Sequence, residues 1–332
     1  MHANDTVLIL TRRDIARLMP LADAISAVEE GFRAVALGEA TAPLPMHIPA
    51  LGGGFHVKAG LMELGGRRYF AAKVNGNFSH NDRRGLPRIQ GAIVLSDGDD
   101  GSPLAIVDSV EITTLRTAAA TALAARHLAR IDADTATICG CGVQAPAQLR
   151  AVARVRPLRR VLAFDSDAAR AHAFVATMAR ELAMDVVAVG DLKAAVRESA
   201  ISITCTPSRE PLIFADCVAP GAFVAGVGAD SGDKQEIDAE LMAAVKVVTD
   251  VTEQCATIGD LHHALDAGRM TRAQVHAELG EIVAGKKPGR CAADEIIVFD
   301  STGMALQDVA AAARVYERAT ARARGIVIEL GA

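Results

Sequence analysis

The sequence predicts an α/β protein: a Rossmann-type doubly wound parallel sheet joined to a smaller, discontinuous α+β domain. Three observations predict it. Residues 136–165 read as strand, glycine turn, helix, strand and acid. Beyond Asp165, apolar runs keep alternating with helical segments. Before Asp108, by contrast, short β-rich runs follow one another between turn signals, and the chain's last helix and strand come after the alternation has ended.

The 136–165 segment is the most specific of these. Ala136 to Cys139 suit a buried strand, and Gly140-Cys141-Gly142 lets the backbone turn tightly and come close to a pyrophosphate. Ala145 fills the third small position. Pro146 falls where the first turn of a helix tolerates a missing N–H, so the helix presents backbone donors and its positive end to phosphate. Arg160 to Phe164 form the second strand, and Asp165 ends it, placed to hold a ribose 2′-hydroxyl and to repel a 2′-phosphate. This favours NAD over NADP.

The alternation continues with a helix over 168–182, a strand over 186–189, a short helix over 192–196, and strands over 201–206, 222–227, 246–249 and 295–299. A parallel sheet built this way takes its ligand beyond the strand carboxyl ends, where Thr206, Asp230 and Ser301 fall. Asp230 follows a buried strand in GVGADSGDKQEID and is the candidate acid or base toward an amine, with capping of the next turn as its structural alternative.

Ahead of this region, Ile25, Val28, Phe32 and Val35 repeat at helical spacing, and Gly38 ends that helix. Strands follow at 55–58, 69–74, 91–95 and 104–107. Lys73 stands inside YFAAKV with apolar neighbours on both sides, so its ammonium needs a partner or a pocket. Lys58 in FHVKAG is the weaker counterpart. Thr113 or Thr114 is expected to cap an alanine-rich helix running to about Arg130, which puts Arg116 in the first turn. A cation opposes the helix dipole there unless it holds an anion such as a carboxylate; a salt bridge to Asp108 or Glu111 is the structural alternative. A final helix over 304–324 and a strand over 326–328 return to the first domain.

With 332 residues, 51% of them hydrophobic, and a net charge of −5, the chain can bury two cores and shows no bias toward nucleic acid or a membrane surface. No apolar run approaches the ~20 residues of a membrane span, and the N-terminus has no secretory pattern, so a cytoplasmic location is expected. The six cysteines are scattered as reduced thiols rather than as a disulfide frame, and neither Cys139-x-Cys141 nor His262-His263-Asp266 completes a ligand set, so no metal is expected.

Six segments, AAKVNGNFSHN, GSPLAIVDSVEITTLRTAAATALAARHLA, GCGVQAPAQL, VGADSGDKQEID, AELGEIVAGKK and VFDSTGMALQD, occur in an order that resembles the ornithine cyclodeaminase and mu-crystallin family. The resemblance covers nearly the whole chain. It implies a substrate and dimerisation domain from residues 1–115 completed by 305–332, an NAD-binding domain from 116–304, and a homodimer whose N-terminal sheets join. By position it assigns Lys73 and Arg116, with Lys58, to the substrate, and Thr117, Gly140, Gly142, Val143, Gln144, Asp165, Thr206, Val227 and Ser301 to the cofactor. It makes Asp230, with Lys73, the catalytic pair. The chain departs from the family at residues 42–47, where members carry an arginine after the proline; Lys58 or His47 stands in for it.

The expected activity is then NAD-dependent cyclodeamination: hydride leaves Cα of an L-amino acid, a side-chain amine attacks the imine, ammonia departs and the hydride returns. The alternatives are net reduction of a cyclic imine such as pyrroline-2-carboxylate, or oxidation of an amino acid such as alanine. A rival of another class is a small-molecule or dinucleotide-binding protein without turnover.

Overall fold

The computed structural model describes residues 6–330. The chain begins with β1 (Thr6–Leu10), α1 (Arg12–Leu18) and α2 (Leu21–Leu37). Strands β2 (Ala40–Thr41), β3 (Met46–Ala50), β4 (Gly53–Leu64), β5 (Arg67–Phe78), β6 (Ile89–Asp97) and β7 (Pro103–Asp108) lead to α3 (Ser109–Leu128). The alternating region follows: β8 (Thr135–Cys139), α4 (Gln144–Ala153), β9 (Arg160–Phe164), α5 (Ala168–Leu182), β10 (Asp185–Ala188), α6 (Leu192–Glu198), β11 (Ile201–Thr204) and β12 (Phe223–Gly226). It continues with α7 (Ala239–Ala244), β13 (Lys246–Thr249), α8 (Thr252–Ile258), α9 (Asp260–Asp266), β14 (Ala277–Glu278), α10 (Leu279–Val283) and β15 (Ile297–Asp300). The last elements are α11 (Ala305–Ala321) and β16 (Ile326–Glu329).

Two compact units result. One takes the chain through Arg116 and again from Met304; the other is Thr117–Gly303. The boundary falls within α3.

In the first unit an eight-stranded sheet runs β16-β1-β7-β6-β5-β4-β2, with β3 paired to β4. The hairpin between β4 and β5 turns on Gly65 and Gly66, at φ 59° and 82°, the two left-handed residues that a tight, twist-matched turn requires. Side chains then alternate. Met62, Leu64, Tyr69, Ala71, Ile93 and Leu95 point to the buried face, which packs on α11. The opposite face is apolar yet open: Met46, Ile48, Phe55, Phe70, Val74 and Val94 are each more than a third exposed. α2 buries Ile25, Val28 and Phe32 and ends at Gly38 in the left-handed region, as its apolar spacing predicts.

In the second unit the order is β10-β9-β8-β11-β12-β15-β13-β14, parallel throughout. The strand order changes its direction of build between β8 and β11, the switch point of a doubly wound sheet.

One local expectation is corrected. α3 starts at Ser109, not at Thr113, because Asp108 takes the capping role: its Oδ1 accepts the Glu111 N–H at 3.0 Å. Thr114 donates back to Val110 O inside the helix (2.9 Å). Arg116 therefore stands two turns in, and the dipole argument for it falls away.

Candidate active site

The first unit gathers its charges on the buried face of the sheet. Lys58 and Lys73 are cross-strand partners on β4 and β5, 8% and 3% exposed. Period-two alternation places both beside buried apolar residues rather than at an edge. Lys73 Nζ lies 2.6 Å from Asp308 Oδ2 and donates to Thr113 Oγ1 at 3.4 Å. Arg116 donates from Nε to Asp308 Oδ1 (3.2 Å) and from Nη1 to Gln307 Oε1 (3.0 Å). Asp308 is thus the counter-charge shared by both cations. The salt bridge weighed for Arg116 in the sequence exists, but its partner is Asp308 and not Asp108, which pairs with Arg12.

The electrostatics of this group follow from burial. Loss of water brings the Lys73 ammonium down to about 7 despite the pull of Asp308, with Arg116 and Lys58 pushing the same way. Asp308 resists its own burial because Lys73 and Arg116 hold it below the usual carboxylate range. Nearby, the Ser109 hydroxyl donates to Asn75 Oδ1 at 2.5 Å, stiffening β5 one pleat beyond Lys73. Asp308 and Gln307 were not singled out in the sequence. Both lie in the VFDSTGMALQD segment, in the first turn of α11, where an acid also complements the helix dipole.

The second unit holds the expected dinucleotide loop. Gly140 has φ 90°, and a Cβ there would sit 2.7 Å from Thr206 Cγ2 and 3.0 Å from Cys205 O. Around Gly142 a Cβ would meet nothing within 4 Å. Val143 is 80% exposed, no side chain caps α4, and Gln144 Oε1 is buried without a partner among the described residues. Exposed apolar surface and uncapped helix donors on one loop fit a pyrophosphate-bearing cofactor. Asp165 closes β9: its Oδ2 accepts the Cys141 N–H (2.8 Å), and its Oδ1 accepts from Asp167 N–H (2.9 Å) and Arg170 Nη1 (3.2 Å).

Thr206 and Val227 leave the ends of β11 and β12, Val227 N–H donating to Thr204 O at 3.0 Å. Thr206 is fixed by Glu236, which accepts its N–H at 2.6 Å and its hydroxyl at 2.7 Å. Ser301 is buried after β15; its N–H donates to Gly226 O (2.9 Å) and its hydroxyl to Asp250 Oδ2 (3.3 Å). Thr117 lies buried in α3. Asp230 is half-exposed and paired at 2.5 Å with Lys234, one helical turn's spacing along the chain. Behind these loops stand four buried carboxylates, Glu236, Asp250, Asp260 and Asp300. Sequence reasoning passed over all four, although Glu236 lies within the VGADSGDKQEID segment. Burial raises Asp300 to about 7 against the Leu261 N–H that it accepts, and burial with the neighbouring Asp300 pushes Asp260 well upward.

His262 pairs with Asp266 at 3.5 Å and His263 Nε2 meets Lys234 O at 2.8 Å. Among the described residues no group of three or more His, Cys, Asp or Glu side chains is arranged to hold a metal ion. No helix among them is long and apolar enough to cross a membrane.

A doubly wound dinucleotide fold joined to a discontinuous α+β unit with a buried Lys–Arg–Asp group defines the class of protein. The chain belongs to the ornithine cyclodeaminase/mu-crystallin family, whose model matches residues 5–323. A putative dehydrogenase of Rhizobium meliloti is 38% identical over 97% of this chain and 98% of its own. An alanine dehydrogenase of Archaeoglobus fulgidus is 36% identical over 97% and 98%. Among solved structures, an archaeal alanine dehydrogenase dimer with bound NAD superposes with TM-score 0.93 at 35% identity, covering 98% of this chain and 99% of that one. The Δ1-pyrroline-2-carboxylate reductase of Thermococcus litoralis, in complex with NADH and L-proline, gives 0.93 at 33%, covering 96% and 99%. A lysine cyclodeaminase gives 0.86 at 28%, covering 98% and 95%.

Proposed function

We propose that this protein is an NAD-dependent enzyme that transfers hydride at the α-carbon of a small amino or imino acid. The observation that carries the reading is the buried group on the first unit's sheet: two cations, Lys73 and Arg116, around the single carboxylate Asp308. In this reading the unit through Arg116, completed from Met304, is the substrate and dimerisation domain, and Thr117–Gly303 binds the cofactor.

Arg116 is suited to a substrate carboxylate, since its fork is already held by Asp308 and Gln307 and its charge is permanent. Lys73, brought near 7, can exchange a proton with an amine or imine nitrogen at neutral pH. Asp308 keeps that ammonium in place and, as an anion, favours the protonated form of Lys73. Bound NAD supplies the hydride acceptor, or NADH the donor. Gly140, Gly142, Val143 and Gln144 would hold the pyrophosphate, Asp165 the adenosine ribose, and Thr117, Thr206, Val227 and Ser301 the remainder.

We favour net redox chemistry on structural likeness: the archaeal alanine dehydrogenase and the pyrroline-2-carboxylate reductase superpose with TM-score 0.93, against 0.86 for the lysine cyclodeaminase. Sequence identity does not separate the two forms, at 36% for the alanine dehydrogenase and 37% for an uncharacterized cyclodeaminase of Sinorhizobium fredii. Cyclodeamination, placed first on the sequence alone, keeps a specific support in Asp230, a half-exposed carboxylate that follows β12 and pairs with Lys234. The cysteines, none in a disulfide, suit a reducing compartment such as the cytoplasm.

The open apolar face of β3–β6 is assigned to a second copy of this chain, giving a homodimer. The deciding experiment for the chemistry measures ammonia released from L-ornithine and L-lysine with catalytic NAD, beside NADH oxidation with pyrroline-2-carboxylate and with pyruvate plus ammonium. Stoichiometric NADH oxidation is expected. Ammonia without net NADH change would establish cyclodeamination, and Asp230→Asn would then abolish turnover while sparing NAD binding. Silence on all of these substrates would overturn the reading.

A further inference from the structure

One of the buried carboxylates behind the cofactor loops, Glu236, bridges the ends of two adjacent strands. Glu236 is fully buried, and both of its carboxylate oxygens are engaged. Oε1 accepts from the Thr206 N–H (2.6 Å) and hydroxyl (2.7 Å); Oε2 accepts from the Gly228 N–H (2.7 Å) and the Thr204 hydroxyl (2.8 Å). The two amides can only donate. The Thr206 hydroxyl already accepts from the Ser208 N–H at 3.1 Å, which leaves its proton for Glu236. Burial pushes the Glu236 carboxyl up, and these four donors work against that by stabilising the anion. The backbone that carries it is anchored in turn, because the Glu236 and Ile237 N–H groups donate to Asp260 Oδ1 at 2.7 and 2.9 Å.

Its four donors come from the carboxyl ends of two adjacent strands, β11 and β12. In a sheet of this order the adenosine half of a dinucleotide belongs to the β8–β9 side of the switch point, marked here by Asp165. The nicotinamide half belongs to β11 and β12. The packing is tight: a Cβ on Gly228 would lie 2.2 Å from Thr206 O and 2.6 Å from Glu236 Oε1. Two of the carboxylates nearby have cations of their own. Asp165 pairs with Arg170 and Asp230 with Lys234, whereas every Glu236 partner named above is neutral.

We propose that Glu236 is the fixed counter-charge of the oxidised nicotinamide: it locks Thr206 and Gly228 in place and, as an anion, makes the site prefer NAD+ to NADH. The inference rests on the NAD reading above. The two cofactor forms differ by one positive charge on the ring, and a buried anion distinguishes them through space without touching either. Glu236 is therefore a positioning residue. Its signature is the ratio of two affinities, which a purely structural contact leaves alone.

The test uses the full chain with NADH titrated by its fluorescence and NAD+ by competition. The intact protein is expected to bind NAD+ at least as tightly as NADH. Glu236→Gln is expected to lower the ratio of the NADH Kd to the NAD+ Kd by about tenfold, the effect of one unit charge about 12 Å away at an effective dielectric of about 20. Glu236→Asp, which keeps the charge, is expected to keep the ratio even where both affinities fall. An unchanged ratio in Glu236→Gln, with both Kd values raised alike, would overturn the proposal and leave Glu236 a scaffold. Should that variant not fold, the intact protein still decides: NADH bound tenfold more tightly than NAD+ would overturn it too. If neither form binds, the NAD reading fails and this inference with it.

Discussion

The two units bury charge in opposite ways. On the first unit's sheet, Lys73 and Arg116 converge on one carboxylate, so ions neutralise ions across elements far apart in sequence. Along the carboxyl ends of the second unit's strands, Glu236, Asp250, Asp260 and Asp300 are met mainly by backbone N–H groups and hydroxyls. A salt bridge leaves a permanent charge field that a substrate can enter. Amide donors instead fix loops in place, and where they fall short the carboxyl keeps its proton. The first arrangement suits anion binding and proton exchange, the second the shaping of a cofactor bed.

Changing Asp308 probes the ionic side and carries the largest effect. Asp308→Asn leaves Lys73 and Arg116 buried without their shared anion, which is expected to cost about 3 kcal/mol of stability. Urea unfolding reads this, and the pH at which activity changes is expected to move down, because Asp308 is what holds the Lys73 proton. Unaltered stability and pH profile would make the ion cluster incidental. Next comes the open sheet face. Val74→Asp adds a charge to the apolar patch while its side chain points away from Lys73, and it is expected to yield monomers by light scattering with secondary structure intact.

The smallest effect tests the amide-satisfied side. Asp300 sits at about 7 when folded, above its ordinary value of 3.8. The folded state then binds the proton that the unfolded chain has released. Its stabilising contribution is full below about pH 4, declines as pH rises toward 7 and is gone above. Asp300→Asn keeps the carbonyl oxygen and removes the titration. Relative to the parent, the variant is expected to gain stability between pH 5 and pH 8, by thermal melting; a constant difference would mean that Asp300 stays ionised throughout.

Much of the architecture was legible in the sequence because its signals are local. The α2 stop at Gly38, the limits of β9, α5 and β13, and the glycine turn at 140–142 follow from spacing and turn chemistry within a few residues. The start of α3 was misplaced because three candidate caps, Asp108, Thr113 and Thr114, lie within one run, and only the structure shows which side chain accepts the amide. Asp308 and Glu236 escaped for a different reason. Each acts on partners that neighbour it only after folding: Lys73 is 235 positions from Asp308 in the chain. Nothing in a first-turn acid of α11 announces which cations it will meet.

Strand β5 carries the proposed chemistry and the proposed assembly on alternate residues, Lys73 toward the buried face and Val74 toward the open one. The parity of that strand is set by the two-residue turn at Gly65–Gly66. One residue more in the turn would exchange the two sets, turning Lys73 outward and drawing Val74 into its place beside Asp308. The proposed activity and the proposed dimerisation are thus written in a single reading frame of the pleat, and a one-residue slip would erase both together.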